Sequence, residues 1–358
     1  MNQKTDADNG LKYGIFDWID RNDGLDLREI YEQRLRMLEY ADEAGIYAYH
    51  LAEHHGTPLG MSPSPNLFLA AAAQRTSRLR LGPMVQLLPL YNPMRNIEEV
   101  CILDALSNGR LELGVGRGIS SDELSIYGVD SAETRERFEE SFDILIMGLE
   151  KGRVNYEGRY YTLHDAPVHV RPTQQPYPPL WYPSSSLERT TWVAEHGFNT
   201  LFGFTRTALD SIATGVKQYR AAYDAATSAR LNPNAREPLL GATRHVYVAA
   251  TDAEAEAVAR PAYNKFDRSY VDRPSGALNG GQSRRGDYDI AVSWGGILAG
   301  SPETVRRLVQ HFVDETGANY FCGTFAFGDL TTDQILTSMR LFAQEVMPAV
   351  TPATVVSG

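Results

Sequence analysis

Short apolar runs alternate with helix-type patterns through most of this sequence. Residues 11–18 and 46–52 are apolar runs of strand length, whereas residues 28–44 place apolar side chains every three or four positions, as one face of a helix does. The predicted strands are residues 11–18, 46–52, 79–86, 111–115, 180–182, 199–203, 243–249 and 319–324. Alternation of this kind favours a parallel sheet, and eight units close an α/β (β/α)8 TIM barrel. A doubly wound open sheet is the alternative, but no glycine-rich phosphate loop follows the first strand.

Two segments interrupt the alternation. Residues 152–178 are rich in tyrosine and then in proline, and their pattern predicts a hairpin-like insertion. Residues 267–300 hold Gly, Ser, Arg and aromatic residues without periodicity, and a loop of that length inside a compact domain is usually functional or mobile. We therefore expect one domain over residues 1–358 with two insertions.

Charge and composition limit the classes of partner that the protein is expected to bind. The chain has 34 Lys and Arg against 45 Asp and Glu, a net charge of −11, which argues against nucleic acid and against an anionic membrane surface. Its first ten residues lack an apolar signal core, and no apolar run reaches the length of a membrane span. Cys101 and Cys322 lie in apolar runs and are expected to be core thiols, with no disulfide framework and no metal-ligand spacing. We expect a cytoplasmic protein without a metal.

Polar residues at the ends of the predicted strands are candidate site residues, because the C-terminal ends of barrel strands meet at one rim. They are Asp17, Glu53, His54, His55, Gln86, Arg117, Ser184–Ser186 and Thr324. The neighbours His54 and His55 point to opposite faces of an extended chain, so they are not two ligands of one metal. One of them can face the cavity as an acid, a base or a hydrogen-bond donor. The alternative is a pair of ordinary hydrogen-bonded histidines at a strand end.

Two features favour a phosphate-bearing cofactor. Arg117 lies between glycines after one strand, and Ser184–Ser186 precede a helix after the next, where backbone N–H groups bind anions. A surface salt bridge and plain helix capping are the respective alternatives. A flat ring or an apolar substrate suits the aromatic residues Phe16, Trp18, Trp181, Tyr182 and Trp294, although core packing also explains them.

The ordered motifs EHH, LP, NP, LD, SNGR and GVGRG between residues 52 and 118 resemble the bacterial-luciferase-like family of flavin-dependent monooxygenases. The resemblance continues through WVAEHG to SMRLFAQEVMPAV, near the end of the chain. It implies a TIM barrel that binds reduced FMN (FMNH2) and reacts it with O2 to a C4a-hydroperoxide. That species would oxygenate an aldehyde, a ketone or a secondary-metabolite intermediate. It also implies a separate flavin reductase as the FMNH2 source, and a homodimer or a heterodimer with a paralogue.

The resemblance also assigns residues. His54 matches the catalytic histidine of the family, with Glu53 and His55 as its neighbours, and Met84–Val85 match a cis peptide bond under the flavin. The matches to phosphate and ribityl contacts are Arg117, Arg135, Ile119, Ser185 and Ser186. Residues 267–300 match a mobile shielding loop.

This sequence departs from the luciferases at two positions near the flavin. Gly116 stands where luciferases have a reactive cysteine, which puts light emission in doubt, and Arg189 stands where a luciferase has a small hydroxyl residue. Two other functions stay open. One is an F420-dependent hydride-transfer oxidoreductase, whose acidic cofactor tail would need more basic groups at the mouth. The other is a non-catalytic flavin-binding protein, against which the presence of His54 and Arg117 argues.

Overall fold

The computed structural model describes residues 10–184, 186–204, 206–227, 230–232, 237–271 and 287–353. Its strands are β1 (Lys12–Asp17), β2 (Ala48–Leu51), β3 (Arg80–Pro83), β4 (Gln86–Leu87), β5 (Leu113–Gly116), β6 (Arg153–Glu157), β7 (Thr162–Pro167), β8 (Leu180–Trp181), β9 (Thr200–Leu201), β10 (Leu240–Val248), β11 (Ile297–Gly300) and β12 (Tyr320–Thr324). Its helices are α1 (Leu27–Glu43), α2 (Pro65–Arg75), α3 (Pro93–Leu106), α4 (Ser121–Ile126), α5 (Thr134–Lys151), α6 (Leu187–Glu195), α7 (Leu209–Ala225), α8 (Asp252–Val271), α9 (Tyr288–Ser293), α10 (Pro302–Thr316) and α11 (Thr332–Leu341).

The strands follow one another around a ring. One sheet joins β11, β10, β12, β1, β2 and β3, with β9 also paired to β10, and a second joins β4, β5 and β8. Isolated parallel bridges from Leu81 to Leu111 and from Trp181 to Asn199 connect the two sheets. Among the described residues, the resulting order, β1-β2-β3-β5-β8-β9-β10-β12, has eight members, and no continuous ladder joins them the whole way round. The α/β TIM-barrel fold is confirmed, with all eight predicted strands in that ring.

Burial and capping explain why these segments form these elements. Each residue of β2, β5, β10 and β12 is buried, as expected for strands covered on both faces by other parts of a barrel. Helix α3 begins after Asn92, whose side chain accepts from two backbone N–H groups, and Pro93 occupies the first turn. Ser301 and Pro302 start α10 in the same way.

The first insertion is a β-hairpin, as its pattern predicts. Strands β6 and β7 pair antiparallel, with Arg153 opposite Pro167 and Glu157 opposite Thr162.

The prediction of an unstructured segment over residues 267–300 was wrong at both ends. Helix α8 continues to Val271, and α9 and β11 follow from Tyr288 onward. Strand β11 is a four-residue apolar run that pairs with β10, and a run that short carries no readable period. Residues 272–286, the centre of the segment matched to a shielding loop, lie outside the described residues.

Both cysteines are buried free thiols, as expected. None of the helices in the described part of the chain combines the length and the apolar character that a membrane span requires.

Candidate active site at the C-terminal end of the barrel

A cavity of about 420 Å³ opens where the strands end. This volume lies within the range of about 300–1,000 Å³ that is usual for small-molecule sites. Its walls include most of the residues that the sequence singled out, namely Glu53, His54, Met84, Val85, Gly116, Arg117, Ile119, Arg135 and Ser186. His55 does not line it, and Ser185 lies outside the described residues.

The adjacent histidines after β2 have separate partners. Nδ1 of His54 lies 3.1 Å and 3.3 Å from the two carboxylate oxygens of Glu123. Nε2 of His55 instead lies 2.9 Å from Oε1 of Glu53, and the hydroxyl of Tyr127 lies 2.9 Å from its Nδ1. His54 therefore meets the cavity with a carboxylate behind it, because an acceptor on Nδ1 leaves Nε2 to face an occupant. No protein partner of that Nε2 occurs among the described residues.

Glu123 is the residue that sequence reasoning missed. It lies in α4, which begins after Ser120, and the Ser120 hydroxyl accepts from the backbone N–H of Glu123 at 3.4 Å. Its carboxylate also accepts the backbone N–H of His55 at 3.2 Å. The signal was a Ser-x-x-Glu pattern directly after GVGRG, which marks a helix start, but the glutamate turns towards His54 rather than back to the cap.

Three guanidinium groups lie on one side of the cavity, around Tyr182. Burial raises the pKa of Tyr182, and the positive charges of Arg189, Arg117 and Arg135 oppose that rise. Arg189 lies over the ring of Tyr182, 5.3 Å from its centroid, and Arg135 pairs with Glu139 at 3.1 Å. Arg117 forms no ion pair with any carboxylate of the described residues. This side of the cavity therefore has the charge and the donors that a phosphate group needs.

The serines on this side have structural partners of their own. Ser186 caps α6 by accepting the backbone N–H of Arg189 at 3.3 Å, and the Ser184 hydroxyl lies 2.7 Å from that of Thr190. The capping alternative therefore holds for the Ser186 side chain. The N-terminus of α6 still lies at the cavity and favours an anion there.

Met84, Val85 and Gly116 form an apolar part of the cavity wall. The Met84–Val85 peptide bond is cis, as the resemblance predicts, and it separates β3 from β4. A Cβ atom on Gly116 would clash with Cγ2 of Val85, so a cysteine at this position would require Val85 to move. The glycine is thus explained by the side chain that faces it.

Phe16, Trp18 and Phe204 form an aromatic wall in the same cavity. The Phe16 ring centroid lies 4.5 Å from that of Trp18 and 5.0 Å from that of Phe204. Of the other predicted aromatic residues, Tyr182 lines the cavity, but Trp181 and Trp294 do not. Trp181 is fully buried and donates its indole N–H to Glu112, and Trp294 lies at the end of α9 with 39% of its surface exposed.

Three predicted rim residues are also absent from the cavity wall. Asp17 is buried, and Arg34 Nε donates to it at 3.1 Å. Gln86 and Thr324 are buried with no hydrogen-bond partner for their side-chain polar atoms in the described structure. A residue at a strand end points inward or outward according to the pleat, and sequence position alone does not decide which.

The fold and this geometry agree with comparisons to known proteins. Residues 11–320 match the model of the luciferase-like monooxygenase family, and the chain belongs to that family. A protein of Sinorhizobium fredii, y4wF, is 36% identical over 95% of this chain and 97% of its own length. The crystal structure of the monooxygenase RslO1 from Streptomyces bottropensis is 25% identical, covers 94% of this chain and 99% of its own, and gives a TM-score of 0.84. The oxygenating constituent of 3,6-diketocamphane monooxygenase from Pseudomonas putida, solved in complex with FMN, gives a TM-score of 0.74. It is 21% identical and covers 96% of this chain and 99% of its own.

Proposed function

We propose that this protein is an FMNH2-dependent monooxygenase that uses O2 to oxygenate a small apolar substrate. The observation that carries the proposal is that one cavity holds two kinds of group. Guanidinium groups gather around Tyr182, and a histidine held by a buried carboxylate lines the same cavity. Aldehydes and ketones are the substrate classes that fit the aromatic wall of Phe16, Trp18 and Phe204.

The residues present fit FMN. Arg117, Arg135 and Arg189, together with the N-terminus of α6, would hold the phosphate, because guanidinium forks and backbone N–H groups both suit phosphate oxygens. Ile119 and Ser186 would line the ribityl chain. Met84, Val85 and Gly116 offer an apolar part of the wall against which an aromatic ring system would pack.

The chain's own groups divide the remaining work. Reduced FMN, when bound, supplies the two electrons with which one oxygen atom of O2 enters the substrate and the other leaves as water. Glu123 fixes the orientation of the His54 ring through Nδ1, and Nε2 is then placed to donate or accept a proton at the reacting oxygen. The aromatic wall keeps bulk water away from that oxygen.

A monooxygenase without its own source of electrons requires a partner. We therefore propose a separate flavin reductase. The 3,6-diketocamphane monooxygenase structure is likewise that of an oxygenating constituent. A homodimer, or a heterodimer with a paralogue, stays a prediction from the family resemblance.

The test is a set of binding titrations followed by an oxygenation assay. FMN should bind at least about tenfold more tightly than riboflavin, since a charge-assisted phosphate contact contributes on the order of 1.5–3 kcal/mol. FMNH2 is then mixed with ¹⁸O₂ and either a medium-chain aldehyde or a cyclic ketone, and one labelled oxygen atom should appear in the product. Tighter binding of F420, with hydride transfer and no O2 uptake from FMNH2, would overturn the proposal. FMN binding without any product oxygenation would favour a non-catalytic flavin carrier.

A further inference from the structure

A hydrogen-bonded chain of three side chains leads from the protein surface to the cavity. The hydroxyl of Tyr127 lies 2.9 Å from Nδ1 of His55, and Nε2 of the same ring lies 2.9 Å from Oε1 of Glu53. Because a carboxylate oxygen only accepts, the hydrogen of a neutral His55 ring lies on Nε2, and the Tyr127 hydroxyl then donates to Nδ1. The other oxygen of Glu53 accepts the backbone N–H of Leu87 at 3.0 Å.

Exposure falls steadily along this chain. Tyr127 is 49% exposed and His55 is 8% exposed, whereas the side chain of Glu53 is 1% exposed and Glu53 is among the residues of the cavity wall. One end of the chain therefore meets water and the other belongs to the cavity wall. The chain is separate from the Glu123 carboxylate that binds the His54 ring, although Glu123 also accepts the His55 backbone N–H.

We propose that Tyr127, His55 and Glu53 form a proton relay between solvent and the cavity, in which Glu53 exchanges the proton with the occupant. The proposal deepens the monooxygenase function, since transfer of one oxygen atom to a substrate requires protons for the oxygen that leaves as water. With cofactor and substrate filling the cavity, the reacting oxygen would be separated from bulk solvent, and a relay would supply those protons. Each of the three groups both gives and accepts a proton, as a relay requires.

The electrostatics of the inner end support this role. Burial raises the pKa of Glu53, so its carboxylate takes up a proton more readily than an exposed glutamate does. Tyr91 also lies at this end: its side chain hydrogen-bonds to Glu53, and burial and the Glu53 charge raise its pKa. At the outer end, burial and the Glu53 charge raise the pKa of Tyr127, which keeps its hydroxyl a donor.

An inward transfer moves one proton from solvent to the cavity. Tyr127 gives its hydroxyl proton to Nδ1 of His55 and takes another from water, and Nε2 gives its proton to Oε1 of Glu53. Glu53 then gives that proton to an acceptor in the cavity. Each step breaks one O–H or N–H bond and forms another, and no electrons are transferred. The starting tautomer of His55 returns by the reverse steps when the cavity is open to water.

The first experiment uses the ligand-free protein. In ¹⁵N-labelled samples, NMR measures how fast the Nε2 proton of His55 exchanges with water. Tyr127→Phe keeps the ring that contacts His55 and removes the hydroxyl, and exchange should become at least about tenfold slower because the transferring group is gone. Tyr160→Phe, in the hairpin between β6 and β7, is the matched control and should leave the rate unchanged.

The sign of the change separates a relay from a structural role. A tyrosine that merely closed the structure over His55 would, on losing its hydroxyl, let water in and speed the exchange. Equal or faster exchange in Tyr127→Phe therefore overturns the proposal. The proposal is also overturned if Tyr91→Phe slows the exchange and Tyr127→Phe does not, because the path would then run through Tyr91.

The second experiment uses the FMN-loaded protein. Tyr127→Phe and His55→Gln should bind FMN as the wild type does but form product more slowly, and added imidazole buffer should restore the rate by supplying protons. Slower product formation without rescue counts against the relay. If the wild type does not bind FMN at all, the monooxygenase function fails, whereas the exchange measurement still decides the relay.

Discussion

The histidines at the mouth of the barrel and those inside it have opposite surroundings. His54 and His55 have carboxylates 3.1 Å and 2.9 Å from a ring nitrogen. Inside the barrel, both ring nitrogens of His245 lack a hydrogen-bond partner in the described structure, and its ring is enclosed by aromatic rings such as Phe266, with centroids 4.4 Å apart. His50 is equally buried and binds the Tyr320 hydroxyl at 2.9 Å.

Burial has a direct chemical consequence for the interior pair. It lowers the pKa of both His50 and His245 to about 3, so both rings are neutral at physiological pH. The comparison teaches that a carboxylate partner, rather than the residue type, distinguishes the histidines that we propose to move protons from those that stay neutral. Variants of the histidines at the mouth and inside the barrel, and of the arginines in the cavity, test this difference in surroundings.

The largest effect is expected for His54→Ala. FMN should bind nearly as in the wild type, while product formation falls on the order of 100-fold and hydrogen peroxide appears instead, because the group that positions or protonates the reacting oxygen is lost. Product yield and peroxide release are measured together under the same O2 supply. Glu123→Gln keeps a hydrogen-bond acceptor and removes the charge. Its product yield should lie between those of the wild type and His54→Ala. An unchanged product yield in His54→Ala would remove that residue from the chemistry.

Arg117→Ala should weaken FMN binding about 10- to 100-fold and leave riboflavin binding unchanged. Among the described residues no carboxylate pairs with this guanidinium, which would meet the phosphate in the proposed complex, and a hydrogen bond to a charged group contributes about 1.5–3 kcal/mol. Fluorescence titration with both flavins measures the difference. Equal weakening of the two ligands would place the phosphate elsewhere.

His245→Phe should change how stability depends on pH and leave FMN binding intact. The folded pKa of about 3 lies below the ordinary 6.5, so between these values the unfolded chain binds a proton that the folded chain does not. Stability therefore rises with pH across that window. The variant should lower the slope by up to about 1.4 kcal/mol per pH unit, the value for one proton. Urea unfolding at several pH values measures it, and a parallel shift without a change in slope would contradict the expected neutral ring.

The smallest effect is expected for Arg135→Ala. This side chain is exposed and already paired with Glu139, so its removal should weaken FMN binding by less than about fivefold. The same fluorescence titration, run beside Arg117→Ala at two salt concentrations, ranks the two arginines. A loss as large as that of Arg117→Ala would mean that the phosphate binds nearer to α5 than the cavity geometry indicates.

Much of the molecule could be predicted because its signals are local. Apolar runs marked the eight strands of the ring, Asn92-Pro93 and Ser301-Pro302 marked two helix starts, and the family motifs placed His54 and Arg117 at one rim. These features depend on hydrophobic periodicity and capping within a few neighbouring residues, which the order of amino acids fixes by itself.

Tertiary structure alone decided which side chains meet. Glu123 reaches His54, and Tyr127 reaches His55, across about 70 residues, because β2 and the segment after β5 end at the same rim. It also decided that Trp181 packs inside the barrel instead of lining the cavity. Such pairings depend on strand register and on the direction of the pleat, and neither leaves a trace in local sequence.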